Sequence, residues 1–168
     1  MNILTVGLTL VALLIIAEVV LAMKWNRFYC TRGLPIFVRR AEGVAKLESL
    51  PLELLEKASA TAAGAPFQFR RLDPDVIVFR ERSLGGLIHY APLMHGLIRK
   101  RSEEASVAVV GLVNWWAIGL VVLLLAILGR NVAIIGLYAV GVFAVLYFIQ
   151  AVRYLRVAKA IRTSAPVT

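Results

Sequence analysis

The residues from Ile3 to Met23 form an unbroken apolar run that holds one charged side chain, Glu18. At about 1.5 Å of rise per residue, such a run is long enough as a helix to cross a hydrocarbon layer of about 30 Å. The basic n-region of a secretory signal is missing, since only Asn2 follows Met1, and the run exceeds a signal's apolar core. A retained membrane helix is therefore expected.

Two further apolar blocks run from Ala105 to Leu128 and from Val132 to Val152. Gly129, Arg130 and Asn131 between them read as a tight turn with Asn131 as N-cap, so the blocks predict a helical hairpin. Where the second block's helix begins is open. Ser106 to Val113 is rich in β-branched residues and fits a strand up to about Gly111, with Asn114 capping a helix from Trp115. That helix would have only about fifteen residues, roughly 22 Å, which is short for a full crossing. It would, however, set Trp115 and Trp116 at an interfacial aromatic belt.

The expected fold class is a multi-pass α-helical membrane protein. It has three transmembrane helices and a small α+β cytoplasmic domain between the first and second. The divisions are a first span at 1–23, a cytoplasmic domain at 24–113, a helical hairpin at 114–152 and a basic tail at 153–168.

The charges agree with this segregation. Hydrophobic residues make up 60% of the chain, above the roughly 45–50% apolar content of soluble domains. From Lys24 to Glu104 there are 14 Lys and Arg against 9 Asp and Glu, and from Arg153 onward 4 Lys and Arg and no acid. With Arg130 and Glu18 cancelling, the net charge is +9. The positive-inside rule then sets the central block and C-terminus in the cytoplasm, with the N-terminus and Arg130 outside. Arginine outnumbers lysine 14 to 5, which suits a GC-rich bacterial genome, so the expected location is the inner (plasma) membrane.

Lys24, Trp25, Arg27, Phe28 and Tyr29 follow the first apolar run as a basic and aromatic collar. Together with Trp115 and Trp116, the aromatic residues among them are expected to anchor helix ends among lipid headgroups. Ser49 to Lys57 reads as an amphipathic helix with Ser49 as N-cap and Pro51 in the first turn, continuing to a C-cap at Gly64. After Pro66 the pattern changes to period two, predicting about four antiparallel strands with turns at Asp73 to Asp75, Ser83 to Gly86 and Arg101 to Ala105. About eighty residues bury only a modest core, so such a domain should lean on its spans or on a partner.

Glu18 is the most conspicuous candidate for function, because an ionisable group in a span costs about 2.5–3.5 kcal/mol on insertion scales. Its depth suggests an intramembrane polar contact with Gln150 or Tyr147, or with Arg153. Arg70, Arg71, Arg80, Arg82, Arg99, Lys100 and Arg101 make the strand region basic. With Lys24, Arg27, Arg153 and Arg156 they are candidates for contact with anionic lipid or a protein partner. Cys30 lies near Arg27 and Arg32, which would favour its thiolate, and as the single cysteine it forms no internal disulfide.

His89 and His95 fall short of the three or four protein ligands that zinc takes, so no metal is expected. No phosphate loop, dinucleotide fingerprint, nucleophile elbow or HExxH motif is present, so neither a cofactor nor a catalytic residue is assigned. Nucleic acid is not an expected partner. The sequence thus points to a non-catalytic accessory or scaffold subunit of a larger membrane complex, with membrane lipids and other membrane subunits as partners. The small residues Gly136, Ala139 and Gly141 would let the last span pack closely there. The alternative is a membrane-tethered module whose basic domain binds anionic lipid or a small ligand.

Overall fold

A computed structural model describes residues 3–42, 47–60, 66–81, 92–100, 106–128 and 133–164. The expected turns at Ser83 to Gly86, Arg101 to Ala105 and Gly129 to Asn131 lie outside these residues, as do Gly64, Arg82, His89 and Arg101.

Helix α1 (Ile3–Met23) is followed by the short α2 (Arg27–Thr31) and strand β1 (Pro35–Glu42). A 3-10 turn at Leu47–Ser49 leads into α3 (Leu52–Ser59), then β2 (Phe67–Asp73), β3 (Val76–Glu81), β4 (Met94–Lys100) and β5 (Ser106–Val113). Helices α4 (Trp115–Leu128) and α5 (Ala133–Ser164) complete the order. The five strands form one antiparallel sheet in the order β1-β5-β4-β3-β2. The fold is a mixed α/β arrangement in which a sheet carries long apolar helices at one end.

Three spans are not what the chain builds. Among the described residues two helices are long and apolar enough to cross a membrane, Thr5–Met23 and Tyr138–Ser164. The first half of the second apolar block is β5, in line with the strand reading of Ser106 to about Gly111, and its residues pair with both β1 and β4. What remains is α4, with 14 residues, or about 21 Å, short of a bilayer core. It packs instead along α1: a side chain at Gly7 would meet Leu123, and one at Gly119 would meet Leu14 and Val11. Glycine at both positions lets the two helices approach closely.

The sheet and its flanking helices also differ from expectation. It has a fifth strand, β1, and a second short helix, α2. The Ser49 cap is replaced by the 3-10 turn, and Pro51 is the N-cap of α3. The residues read as a basic tail are the last turns of α5, which runs on to Ser164. There Tyr154, Val157 and Ile161 are fully buried against one face of the sheet, with Phe67, Phe79 and Ile98. Full burial of each such side chain is worth up to about 1.5–3 kcal/mol, so this segment is core, shared with α3 through Leu55. The opposite sheet face packs Val78, Leu97, Val110 and Leu112 against Tyr29 and Cys30 of α2.

Candidate functional site

The junction of α1 with α2 sets up the site. Asn26 N–H donates to Leu21 O and Trp25 N–H to Ala22 O, at 2.9 and 3.1 Å. This pair of bonds ends a helix through a residue in the left-handed region. That residue is Trp25, at φ 52°, where glycine would be easiest and a bulky side chain costs about 1–2 kcal/mol. The side chain of Asn26 then accepts from Tyr29 N–H at 3.2 Å and caps α2. The chain thus reverses sharply, and Tyr29 comes back beneath Glu18.

Glu18 is buried although most of α1 around it is exposed. Its two carboxylate oxygens accept from the backbone N–H groups of Trp115 and Trp116 at 2.9 and 2.8 Å, and from the Tyr29 hydroxyl at 2.6 Å. The two amides belong to the first turn of α4, where donors lack intrahelical partners and the helix dipole is positive. A carboxylate there meets both needs, so its charge is matched without a cation.

The polar cluster extends inward. Asn114 donates from Nδ2 to Pro92 O at 2.8 Å, and its Oδ1 lies 2.9 Å from His95 Nδ1. His95 Nε2 lies 3.1 Å from Tyr29 O, and the Tyr29 and His95 rings stack at 4.5 Å. Both ring nitrogens thus face acceptors, which favours the cation, but burial outweighs them and holds His95 below the usual histidine value. Burial, with Glu18 beside it, pushes the Tyr29 hydroxyl well above the usual tyrosine value.

A cavity of about 320 Å³ opens beside this cluster, at the lower end of the range for small-molecule sites, about 300–1,000 Å³. Ile15, Val19 and Ala22 of α1 form one wall, and Met94 and Trp116 contribute further apolar surface. Glu18, Tyr29, His95 and Asn114 supply polar groups, and Arg80 and Glu81 reach it from the end of β3. Strand alternation sends these last two to opposite faces. Glu81 pairs with buried Arg153 at 2.6 Å and also accepts from Gln150 Nε2 at 3.3 Å. Arg80 sits with its guanidinium carbon 4.7 Å above the Trp25 ring, and its Nε is buried with no hydrogen-bond partner.

The structure does not bring together the three residues grouped from sequence as intramembrane contacts. Glu18 meets Tyr29 and α4. Gln150 Oε1 accepts from Leu93 and Met94 N–H at 2.9 and 3.1 Å, fixing the start of β4. The Tyr147 hydroxyl donates to Ile36 O at 3.3 Å. Among the expected anchors, Tyr29 is buried, Trp115 and Trp116 donate their backbone N–H groups to Glu18, and Phe28 is exposed.

The basic residues scatter. Arg99 and Lys100 close β4 at the end opposite the cavity, exposed like Arg70, Arg71, Lys24 and Arg156. Arg71 donates to the Leu47 and Glu48 carbonyls, and Arg27 pairs with Asp73 at 2.8 Å. Arg153 is buried in the core. Cys30 is also buried, and this pushes its thiol up to about 11 despite Arg80 and Arg70 nearby.

Sequence reasoning found Glu18 and the start of α4 at Trp115, but the cap of that helix is Glu18, since the Asn114 side chain turns to His95, Tyr29 and Pro92. It missed His95, Tyr29 and Arg80 as members of one site, because they come from separate strands and helices and no local pattern ties them. Comparison with family models, with curated proteins and with solved structures finds no match to this chain.

Proposed function

We propose that this chain is a membrane-anchored, non-catalytic binding module that takes an acyl or similarly apolar ligand into the cavity between α1 and the sheet. The observation that carries this reading is the composition of that cavity. One wall is the exposed apolar helix α1, through Ile15 and Val19, and the other is the polar end of the sheet. A ligand entering sideways from a bilayer would keep its chain against α1 and present its polar end to the domain.

Binding is favoured over catalysis because the titratable groups that line the cavity are mostly engaged. Glu18 accepts three hydrogen bonds, His95 has both nitrogens in contact, and Glu81 is paired. A general base needs a free lone pair within reach of its substrate. The exposed apolar surface of α1 and of the first part of α5, including Leu10, Leu13, Val140 and Phe148, supports a membrane location.

The test is retention of radiolabelled phosphatidylcholine by the full chain in a nonionic detergent. The wild type should retain it. Val19→Trp, which fills the cavity from an exposed helix position, should lose most of it with an unchanged melting temperature. Equal retention by both proteins would contradict the reading.

A second reading, an accessory subunit that packs against another membrane protein, is favoured by Gly141 of α5. It has open space where a side chain would stand, beside exposed Val140, Val142 and Val145. A partner helix would fill that notch. Gentle extraction followed by native mass measurement would show a second protein if this reading holds, and the bare chain with lipid if it does not.

A further inference from the structure

Resting on that reading, we propose that the cavity selects an anionic amphiphile, an acyl chain ending in a carboxylate or phosphate, and that Arg80 is the residue that pairs with the anion. The charges around the cavity single this residue out. Glu18 is satisfied by the first turn of α4 and by Tyr29. Glu81 is satisfied by Arg153. Among the described residues no carboxylate lies within ion-pair distance of Arg80. With two carboxylates already matched and one guanidinium unmatched, the lining has room for one negative charge.

The local structure holds Arg80 ready for that role. Its guanidinium rests on the face of Trp25, which uses one face of the planar group and leaves its edges for hydrogen bonds. Trp25 adopts a left-handed backbone that a tryptophan rarely takes, and strain of this kind concentrates where geometry serves a site. The buried Nε of Arg80 has no protein partner, an unusual state for a buried donor. A carboxylate or phosphate can take two N–H groups of one guanidinium at once, which a neutral headgroup cannot match. With its anion at Arg80, an acyl chain would lie along Ile15 and Val19, where α1 is exposed.

The experiment measures retention of radiolabelled oleic acid, phosphatidylglycerol and phosphatidylcholine by the full chain in a nonionic detergent. Wild type should retain at least one anionic probe about tenfold over phosphatidylcholine, a preference of the size expected for a charge-assisted contact. Preference for oleic acid alone would identify a free acyl anion as the source, and preference for phosphatidylglycerol a bilayer headgroup. Arg80→Gln should bring the anionic probes down to the phosphatidylcholine level, while Arg99→Gln, at the far end of β4, should change nothing. Because Arg80→Gln could fail to fold, a salt titration of the wild type accompanies it. Raising NaCl should lower retention of the anionic probe several-fold and leave phosphatidylcholine unaffected.

Equal retention of all three probes by the wild type would overturn the proposal, as would a preference that survives in folded Arg80→Gln or ignores salt. If phosphatidylcholine is retained and Val19→Trp blocks it with no anionic preference, this inference falls and the binding-module reading stands. If no probe is retained, both fall.

Discussion

Glu18 in α1 accepts a hydrogen bond from the backbone N–H of Trp116, 2.8 Å away, across 98 positions of sequence. With the matching bond from Trp115, it joins the end of the first apolar helix to the start of the fourth. The carboxylate therefore works as a cap supplied from another helix, and it fixes where α1 meets the sheet.

Glu18→Gln keeps an acceptor for one amide but removes the charge, and Glu18→Ala removes both. Hydrogen bonds to charged groups contribute about 1.5–3 kcal/mol. The expected order of stability is wild type, then Gln, then Ala, with Ala lower by about 2–4 kcal/mol once the orphaned donors are counted. Thermal unfolding of the full chain in detergent measures this, and an Ala variant as stable as wild type would remove Glu18 from the fold.

The last turns of α5 are core. Ile161→Ala should destabilise by about 2–5 kcal/mol, the range for truncating a fully buried large aliphatic side chain. A chain ending at Val152 should not fold at all, although it retains β1 to β5. A free tail would have tolerated both changes, as unfolding midpoints will show.

Cys30 is buried beneath α1 and its thiol is pushed up to about 11. At pH 8 it should resist iodoacetamide until the protein unfolds, with a labelling rate that follows the population of open chain. Rapid labelling of the folded protein would contradict its position in the core beside Tyr29.

His95 is held below its usual value by burial. Between that lowered value and about 6.5, the unfolded chain binds a proton that the folded chain refuses, so stability rises with pH there. Acidification from pH 7 to 5 should lower the melting temperature, and His95→Gln should flatten that part of the profile. An unchanged slope in the variant would assign the acid sensitivity to other groups.

The strand region was legible because its signals are local. Phe67 to Arg70 alternates in period two, Asp73 to Asp75 turns, and β2 and β3 pair across that turn. Sheet order, β1 and the packing of α4 along α1 were not legible. Paired Arg39 and Arg40 interrupt the pattern of β1, whose partner β5 lies far along the chain. Ser106 to Val113 is as apolar as a span because a central strand is buried on both faces. The β-branched residues and Asn114 still pointed to a strand here and a helix from Trp115, and the count of spans was inflated by taking the 14-residue α4 as a crossing. Glu18 stood out by being charged, but its partners could not be found, because two of them are backbone amides.

The most direct test of the account is where an acyl chain touches this protein. Phosphatidylglycerol carrying a diazirine on its acyl chain would be incorporated into membranes containing the full chain, photolysed, and the labelled residues mapped. The account predicts label at Ile15, Val19, Met94 and Trp116, reduced by Val19→Trp. Label confined to outward residues such as Leu13, Val145 and Phe148, and unaffected by that substitution, would contradict it.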